Sequence, residues 1–299
     1  MHSIPRLKPY FSNAETRSFE QIPSLYDDSS HTIFLHETAS QKEVIKALNS
    51  QSAEDSPFWQ GMAEFFGVHL KQQLQHFDSL YPLIAQYSPL EIPALLQTLV
   101  VPNESIWAIK TDFLPGQSVQ SELVTSQMVR QLAEHLACLH QVESDQFGYI
   151  FGKTKTETKP SWPQHVKQQL TQLLSVHPLL NSTEQEALLG QIDARFQPSE
   201  FGVIMPDLRW DQFLQQENAL TGLTDLDALV FGPVELDWVL LEYLLKPEQA
   251  QLFCAEYERH RAIPEIGAVR SVYRVMLFLM NVLGEKNYQA WRDYPALFV

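Results

Sequence analysis

The sequence predicts an α+β protein, with a sheet-rich N-terminal lobe at residues 1–113 and a larger helical C-terminal lobe at residues 114–299. Three observations support this prediction. Apolar runs of strand length, separated by polar turns, precede the breaker LPGQS at residues 114–118. After that breaker, apolar residues recur at the three- and four-residue spacing of amphipathic helices. Within the helical part, residues 203–237 contain two short apolar runs joined by a tight turn, which is the pattern of a β-hairpin.

The N-terminal lobe is predicted to contain two pairs of strands with one helix between them. The runs TIFLH at 32–36 and EVIKAL at 43–48 flank a polar turn, as the two strands of a hairpin do. The runs at 95–101 and 105–113 flank the turn PNE in the same way. A helix is expected over 57–70, because proline is favoured in the first turn and apolar residues follow it at helical spacing.

The C-terminal lobe is predicted to contain six helices around the hairpin. They are expected at 121–142, 163–174, from 182 onward, 236–245, 247–260 and 266–283. Ser182 is expected to cap the third of these helices, because Glu184 and Glu186 would then lie in its first turn.

The net charge of the chain indicates which classes of partner it can bind. The net charge is −15, from 36 acidic against 21 basic residues. Nucleic-acid binding requires a basic face that displaces counterions from phosphates, and the sequence has no Lys and Arg cluster to form one. We therefore expect no nucleic-acid partner. An acidic surface would attract cationic substrates, although many soluble proteins are acidic without such a role.

The sequence also predicts a soluble, cytoplasmic protein without a membrane partner. Its longest apolar stretch, residues 275–280, is far shorter than the roughly 18 residues of a membrane-spanning helix. The N-terminal MHSIPRLKPY lacks the apolar run of a secretory signal. Cys138 and Cys254 are too few for a disulfide framework, which suits a reducing compartment.

Two aspartates, Asp207 and Asp225, lie at the ends of the two apolar runs within residues 203–237. Carboxylates that a hairpin brings to one place can accept a proton or hold Mg²⁺, and a phosphoryl-transfer site needs both roles. Each aspartate also has a structural interpretation. Asp207 could start a turn, and Asp225 could cap the turn that follows it.

The ordered motifs of the chain resemble those of aminoglycoside phosphotransferase-like kinases, a group that includes choline, homoserine and fructosamine kinases. The family pattern is His-Gly-Asp-Leu-His-x-x-Asn, then Ile-Asp-Phe-Asp/Glu, then Gly-Asp-Pro followed by Asp-Leu-Ala. The matching residues here are Asp207-Leu208, Thr224-Asp225-Leu226-Asp227, Gly232-Pro233 and Asp237, with Leu136-Ala137-Cys138-Leu139-His140 and Phe147-Gly148 upstream. The resemblance covers most of the chain. It implies a two-lobed protein-kinase-like fold with ATP in the cleft between the lobes.

The resemblance implies a role for each acidic residue of the 203–237 segment. Asp207 would be the catalytic base, and Asp225 would be the principal Mg²⁺ ligand. Gln212 occupies the position of the family's asparagine and would be a second ligand. Asp227 would ligate or assist a second ion, or else be a surface acid at the end of the hairpin. Asp237 would anchor the catalytic loop by accepting backbone hydrogen bonds.

The N-terminal lobe would supply the nucleotide-binding groups. Lys46 resembles the strand lysine that pairs with the α- and β-phosphates, and Glu64 on the following helix would be its ion-pair partner. A solvent-facing lysine and a surface glutamate are the alternatives. Ser29 and Ser30 end the segment 24–30, which stands where a phosphate-covering loop is expected but which also suits an ordinary polar turn. Residues 109–113 would form the hinge that contacts adenine.

These residues predict ATP- and Mg²⁺-dependent phosphorylation of a hydroxyl on a small polar molecule, such as an amino sugar or amino alcohol. A second hypothesis is a pseudokinase that binds nucleotide without turnover. It is supported by Met205 in place of the family's histidine, by Gln212 in place of asparagine, and by the absence of glycine from 24–30. A third hypothesis, a helical interaction protein, rests on the apolar C-terminal helices.

Overall fold

The α+β fold is confirmed by a computed structural model, which describes residues 4–23, 29–152, 161–193 and 196–298, with backbone only at residues 4, 5, 50 and 51. The strands are β1 (Thr16–Ile22), β2 (His31–Thr38), β3 (Lys42–Leu48), β4 (Leu95–Val101), β5 (Ile106–Asp112), β6 (Gln117–Ser118), β7 (Phe201–Ile204), β8 (Phe213–Gln216), β9 (Ala219–Leu223) and β10 (Val230–Pro233). The helices are α1 (Ile4–Phe11), α2 (Ser50–Asp55), α3 (Pro57–Phe66), α4 (Leu70–Gln73), α5 (Phe77–Tyr87), α6 (Ser126–His140), α7 (Trp162–Val176), α8 (Ser182–Gly190), α9 (Val234–Leu244), α10 (Pro247–Tyr257), α11 (Arg270–Leu279) and α12 (Tyr288–Arg292).

The N-terminal lobe is built on an antiparallel sheet in the order β1-β2-β3-β5-β4. All four predicted strands are present, and the two predicted hairpins are β2-β3 and β4-β5. Strand β1 and helices α1, α2, α4 and α5 of this lobe were not predicted. In β1 only Phe19 is buried, so this edge strand shows little of the apolar alternation by which strands are predicted.

The two faces of this sheet have different neighbours. Ile45 and Ala47 of β3 belong to a separate apolar cluster with Leu7 and Phe11 of α1. The alternate residues of the same strand, Val44 and Lys46, line a cavity on the opposite face. Because successive side chains of a strand point to opposite faces, β3 directs Lys46 into the cavity and the adjacent Ile45 into the core.

Residues 203–237 form two strand pairs, so the single hairpin that was predicted is wrong in detail. Strands β8 and β9 form a hairpin whose turn residues Glu217 and Asn218 have φ of 49° and 67°. Strand β7 instead pairs with β10, after the hairpin is complete. This arrangement places Asp207 just beyond β7 and Asp225 just beyond β9.

The helical lobe follows the predicted order, with corrected boundaries. The long helix predicted at 121–142 begins at Ser126, after a short 3₁₀ turn, and the last predicted helix is shortened to α11. Asn181 rather than Ser182 caps α8, because Asn181 and Glu184 form a reciprocal capping box. Within the described ranges, no helix is both long and apolar enough to cross a membrane.

A buried ion network ties the end of the chain to the helical lobe. Glu242 of α9 is fully buried and accepts hydrogen bonds from Arg270 Nε at 3.1 Å and Arg274 Nη2 at 2.6 Å. The backbone N–H of Leu297 donates to the same carboxylate at 3.0 Å. Phe298 is buried beside Trp238, so these bonds hold the C-terminal segment against the core.

Candidate active site

A cavity of about 770 Å³ lies between the sheet and the helical lobe. Its sheet side is lined by residues such as His31 and Lys46, and its helical side by residues such as Gln212 and Asp225. A smaller cavity of about 200 Å³ shares these four residues and adds Asp207. The predicted base, the predicted metal ligands and the predicted phosphate lysine therefore meet at one place.

Lys46 forms ion pairs with the two aspartates that follow β9. Its Nζ lies 3.1 Å from Asp225 Oδ1 and 4.0 Å from Asp227 Oδ2. Burial disfavours the charged lysine, but the two carboxylates outweigh burial and raise the pKa of Lys46. Burial likewise works against an ionised Asp225, yet the Lys46 charge holds the pKa of that carboxyl below its usual range. The pair is therefore charged at neutral pH.

The prediction that Glu64 is the ion-pair partner of Lys46 is wrong. Glu64 lies on α3, which ends at Phe66, where Gly67 adopts a left-handed φ of 65°. Neither cavity is lined by Glu64, whereas Lys46 contacts Asp225 and Asp227. The physical reason is that α3 packs against α7 of the helical lobe, whereas Lys46 faces the two aspartates that follow β9.

Asp207 is held by two neighbours from its own loop. Its Oδ2 accepts a hydrogen bond from Gln212 Nε2 at 3.1 Å and lies 3.5 Å from Arg209 Nη2. A 3₁₀ turn at Trp210–Gln212 brings the amide back toward the carboxylate. Burial raises the pKa of Asp207 to about 7, against the opposing effect of Arg209 and with smaller contributions from Asp225 and Asp211. A carboxylate with such a pKa suits general base catalysis near neutral pH.

The residues predicted to hold Mg²⁺ fit a hard cation. Gln212 Oε1 and Asp227 Oδ1 are buried and have no hydrogen-bond partner among the described residues. Buried acceptors without a donor are unusual, and a cation would satisfy both. No group of three or more His, Cys, Asp or Glu side chains in the described part of the chain is arranged for a metal, so the set depends on the amide of Gln212.

The backbone of Gln212 links the two halves of the site. Its carbonyl oxygen accepts hydrogen bonds from Thr224 N at 3.0 Å and from Thr224 Oγ1 at 3.1 Å. Because Thr224 precedes Asp225, these bonds fix the position of the Asp225 strand end relative to the Asp207 loop.

Asp237 anchors the loop that follows β7 by accepting backbone hydrogen bonds, as predicted. Its carboxylate oxygens accept hydrogen bonds from the Met205 N–H at 3.0 and 3.1 Å. His140 Nε2 lies 3.1 Å from Asp237, and His140 Nδ1 lies 2.8 Å from the hydroxyl of Tyr257. Met205 is buried, so the residue that replaces the family's histidine packs in the core while its backbone N–H makes the anchoring contact.

Ser29 and Ser30 lie at the small cavity, and Ser29 also lines the large one. Ser29 Oγ donates to the His31 carbonyl at 2.9 Å, and Ser30 Oγ lies 3.1 Å from His31 Nδ1. The rest of the predicted phosphate-covering segment, residues 24–28, is outside the described residues.

The predicted hinge at 109–113 is only partly at the cavity. Strand β5 is interior to the sheet, and its residues pair with β3 and β4. The cavity is lined by the end of this strand and by residues beyond it, Phe113, Leu114 and Gly116. The segment that follows the strand is therefore better placed to contact an adenine ring than residues 109 and 110 are.

Sequence reasoning missed His31 as a residue of the site. Its Nδ1 lies 3.4 Å from Asp227 Oδ2, and burial, aided by the Lys46 charge, lowers the pKa of His31 to about 4. The residue is therefore neutral at pH 7. The alternation of β2 could have placed His31 on the cavity side, because His31 and Ile33 lie on the same face of that strand.

Solved structures share this fold, although no protein-family model and no curated protein matches the sequence. A candidate fructosamine-3-kinase from Haemophilus somnus 129PT has a TM-score of 0.63 at 14% identity, over 93% of this chain and 89% of its own. A thermostable mutant of aminoglycoside phosphotransferase APH(4)-Ia, in complex with ADP and hygromycin B, has a TM-score of 0.59 at 14% identity, over 96% and 90%. The choline kinase LicA from Streptococcus pneumoniae has a TM-score of 0.56 at 11% identity, over 97% and 92%. The chain therefore has the protein-kinase-like fold of the aminoglycoside, choline and fructosamine phosphotransferase group that its motifs resemble.

Proposed function

We propose that the protein is an ATP- and Mg²⁺-dependent kinase that phosphorylates a hydroxyl of a small polar molecule. One observation carries this proposal: Asp207, Gln212 and Asp225 converge on a single cavity that Lys46 also lines. In this proposal residues 1–113 and 114–299 are the two lobes, and the nucleotide lies in the cavity of about 770 Å³ between them. The ADP complex of the aminoglycoside phosphotransferase is consistent with a nucleotide at this fold's cleft.

The residues of the site suggest how transfer would proceed. Asp207 orients the acceptor hydroxyl and accepts its proton as the oxygen forms a bond to the γ-phosphorus. The bond from that phosphorus to the β,γ-bridging oxygen breaks, and ADP leaves with the electron pair. Asp225, Asp227 and Gln212 would hold Mg²⁺, which neutralises phosphate charge. Lys46 would bind the α- and β-phosphates.

The acceptor is proposed to occupy the cavity of about 200 Å³ beside Asp207. Phe58 and Trp59 line this cavity, with their rings 5.3 Å apart and nearly perpendicular. Aromatic faces attract ammonium groups, so these walls, together with the acidic balance of the chain, favour a cationic acceptor such as an amino alcohol or amino sugar.

A specific observation favours the pseudokinase alternative. Lys46 and Asp225 neutralise each other directly, so the groups that would bind phosphate and metal occupy one another. If Lys46 binds phosphate and Asp225 binds Mg²⁺, this ion pair must separate when the nucleotide binds. Otherwise the nucleotide must bind without these two groups.

Nucleotide binding and turnover distinguish the two functions. A kinase should show Mg²⁺-dependent thermal stabilisation by ATP, because a ligand that binds only the native state stabilises it by mass action. It should also consume ATP when supplied with a panel of amino alcohols and amino sugars. Stabilisation without consumption across the panel would support a pseudokinase, and no stabilisation by any nucleotide would contradict both.

We expect kcat/KM to rise with pH through a pKa near 7. Burial raises the pKa of Asp207 to about 7, and only the ionised carboxylate can accept the acceptor's proton. Below that pH the base is protonated and transfer slows about ten-fold for each pH unit. Rates measured from about pH 5 to about pH 9 test this expectation. A profile that is flat through neutrality would contradict the assignment of Asp207 as the base.

Trp59→Leu is expected to raise the acceptor KM about ten-fold while the KM for ATP changes little, because a desolvated cation–π contact contributes up to about 2 kcal/mol. Trp59→Phe keeps an aromatic face and serves as the matched control, with a much smaller rise expected. Equal effects of both variants, or equal changes in the two KM values, would remove Trp59 from the acceptor pocket.

A further inference from the structure

The loop between β9 and β10, residues 224–229, carries two of the proposed Mg²⁺ ligands, Asp225 and Asp227, and the following inference rests on that proposed function. We call this segment the acid loop. Carboxylates at such close positions repel each other, and one Lys46 ammonium lies 3.1 and 4.0 Å from the two. Asp227 Oδ1 is also buried without a hydrogen-bond partner among the described residues. Because an unpaired buried acceptor is unfavourable, a free loop would turn this oxygen toward a donor or water. Other contacts must therefore hold the acid loop in place.

The exit of the acid loop is held by Gln73, the last residue of α4. Gln73 Nε2 donates a hydrogen bond to the Leu229 carbonyl oxygen at 2.8 Å, and Gln73 is 2% exposed. The Leu229 N–H donates to the Leu226 carbonyl oxygen at 3.3 Å, which closes the end of the loop. Gln73 and Leu229 are 156 positions apart in the chain, so this bond ties the acid loop to a distant helix.

Contacts from residues 148 and 149 fix α4 relative to β10. The Tyr149 hydroxyl accepts a hydrogen bond from the His69 N–H at 2.8 Å and donates one to Gln72 Oε1 at 2.7 Å. The adjacent Gly148 exchanges two backbone hydrogen bonds with Phe231 of β10, each 2.9 Å long. Helix α4 is therefore attached to the strand that the acid loop enters, and the glutamine at its end acts from a fixed support.

We propose that Gln73 is a positioning residue that holds the acid loop in its Mg²⁺-binding conformation in the absence of the metal. Gln73 lines neither cavity, so it would contact neither nucleotide nor acceptor. Its amide satisfies a buried carbonyl without adding a charge to the site. Contacts behind metal ligands orient those ligands, and their loss lowers metal affinity by about 10- to 100-fold.

Gln73→Met tests this role, because methionine has nearly the same volume but lacks the amide donor. At one fixed ATP concentration, the Mg²⁺ concentration that gives half-maximal thermal stabilisation should rise about ten-fold. In the protein without ligands, amide hydrogen exchange of residues 225–229 should accelerate about ten-fold, as the loss of one buried hydrogen bond predicts. Tyr149→Phe loosens the support of α4, so it should shift both measurements in the same direction by a smaller amount.

Gln131→Met is the matched control, because Gln131 of α6 makes the same kind of contact away from the acid loop. Its Nε2 donates to the Leu220 carbonyl oxygen at 2.9 Å, and its Oε1 accepts from the Leu220 N–H at 2.8 Å. The loss of these bonds should lower the urea midpoint of unfolding and leave the Mg²⁺ dependence unchanged. The inference is wrong if both glutamine variants shift the Mg²⁺ dependence equally, or if Gln73→Met leaves the exchange of residues 225–229 unchanged.

The two measurements separate this inference from the proposed function. If ATP with Mg²⁺ stabilises the wild-type protein and Gln73→Met keeps the wild-type Mg²⁺ dependence, the inference fails and the kinase proposal stands. If ATP with Mg²⁺ does not stabilise the wild-type protein at any concentration, the kinase proposal fails. The role in Mg²⁺ binding then fails with it, even where hydrogen exchange shows that Gln73 holds the acid loop.

Discussion

Asp207→Asn is expected to lower kcat by about 10²- to 10⁴-fold, which is the contribution of a general base. The asparagine side chain keeps the shape of the carboxylate, and its carbonyl oxygen can still accept the hydrogen bond from Gln212 Nε2. It cannot accept the proton of the acceptor hydroxyl at neutral pH. Because Asp207 lines only the smaller cavity, the Kd for ATP should change by less than about two-fold.

Asp211→Asn is the matched control for this change. Asp211 Oδ1 lies 3.5 Å from Arg209 Nε, so it shares the arginine neighbour of Asp207 and lines the large cavity. Its replacement changes the charge around Arg209 to the same extent without removing the base. Steady-state kinetics and nucleotide titration of both variants separate the two effects. Comparable losses of kcat would show that charge near Arg209, rather than proton transfer, limits the rate.

Glu242→Gln is expected to lower the free energy of unfolding by about 3–5 kcal/mol, which is the cost of removing one charged partner of a buried ion pair. Glu242 is fully buried, and Arg274 is 7% exposed. Loss of the negative charge leaves Arg270 and Arg274 with no carboxylate in this network, and it weakens the bond from the Leu297 N–H. Urea denaturation followed by far-UV circular dichroism measures the change.

Glu54→Gln is the corresponding change at the surface. Glu54 pairs with Lys71, and the two side chains are 60% and 37% exposed. Exposed ion pairs contribute about 0–1 kcal/mol, so this variant should unfold close to the wild-type midpoint. A similar loss of stability in both variants would mean that the network around Glu242 contributes little beyond an ordinary surface pair.

Local patterns predicted the elements whose apolar residues have a regular period. The strand predicted at 95–101 has the same limits in the structure, and α7 differs from its predicted range by only a few residues. Helix α5 was not predicted. Pro82 lies inside it, and a proline within an apolar run argues against a helix when only the sequence is considered.

The residues of the site also divide into those that the sequence predicted and those that it did not. Asp207, Gln212, Asp225 and Lys46 were selected from motif order, and the structure brings all of them to one cavity. Glu64 was selected because it follows Lys46 on the next predicted helix, but it lines neither cavity. His31 was missed although it faces the same cavity. Strand alternation places a side chain on one face of a sheet, but it does not identify the residue that meets it across a cleft.

By itself, the sequence determined the α+β class, most of the strands and helices, and the identity of the two aspartates. These features depend on short-range periodicity and on residues close together in the chain. Only the tertiary structure decided the partners: Asp225 with Lys46, His31 with Asp227, and Gln212 with Asp207. Lys46 and Asp225 are 179 residues apart in sequence. Such a contact depends on how the sheet packs against the helical lobe, and no local pattern encodes that packing.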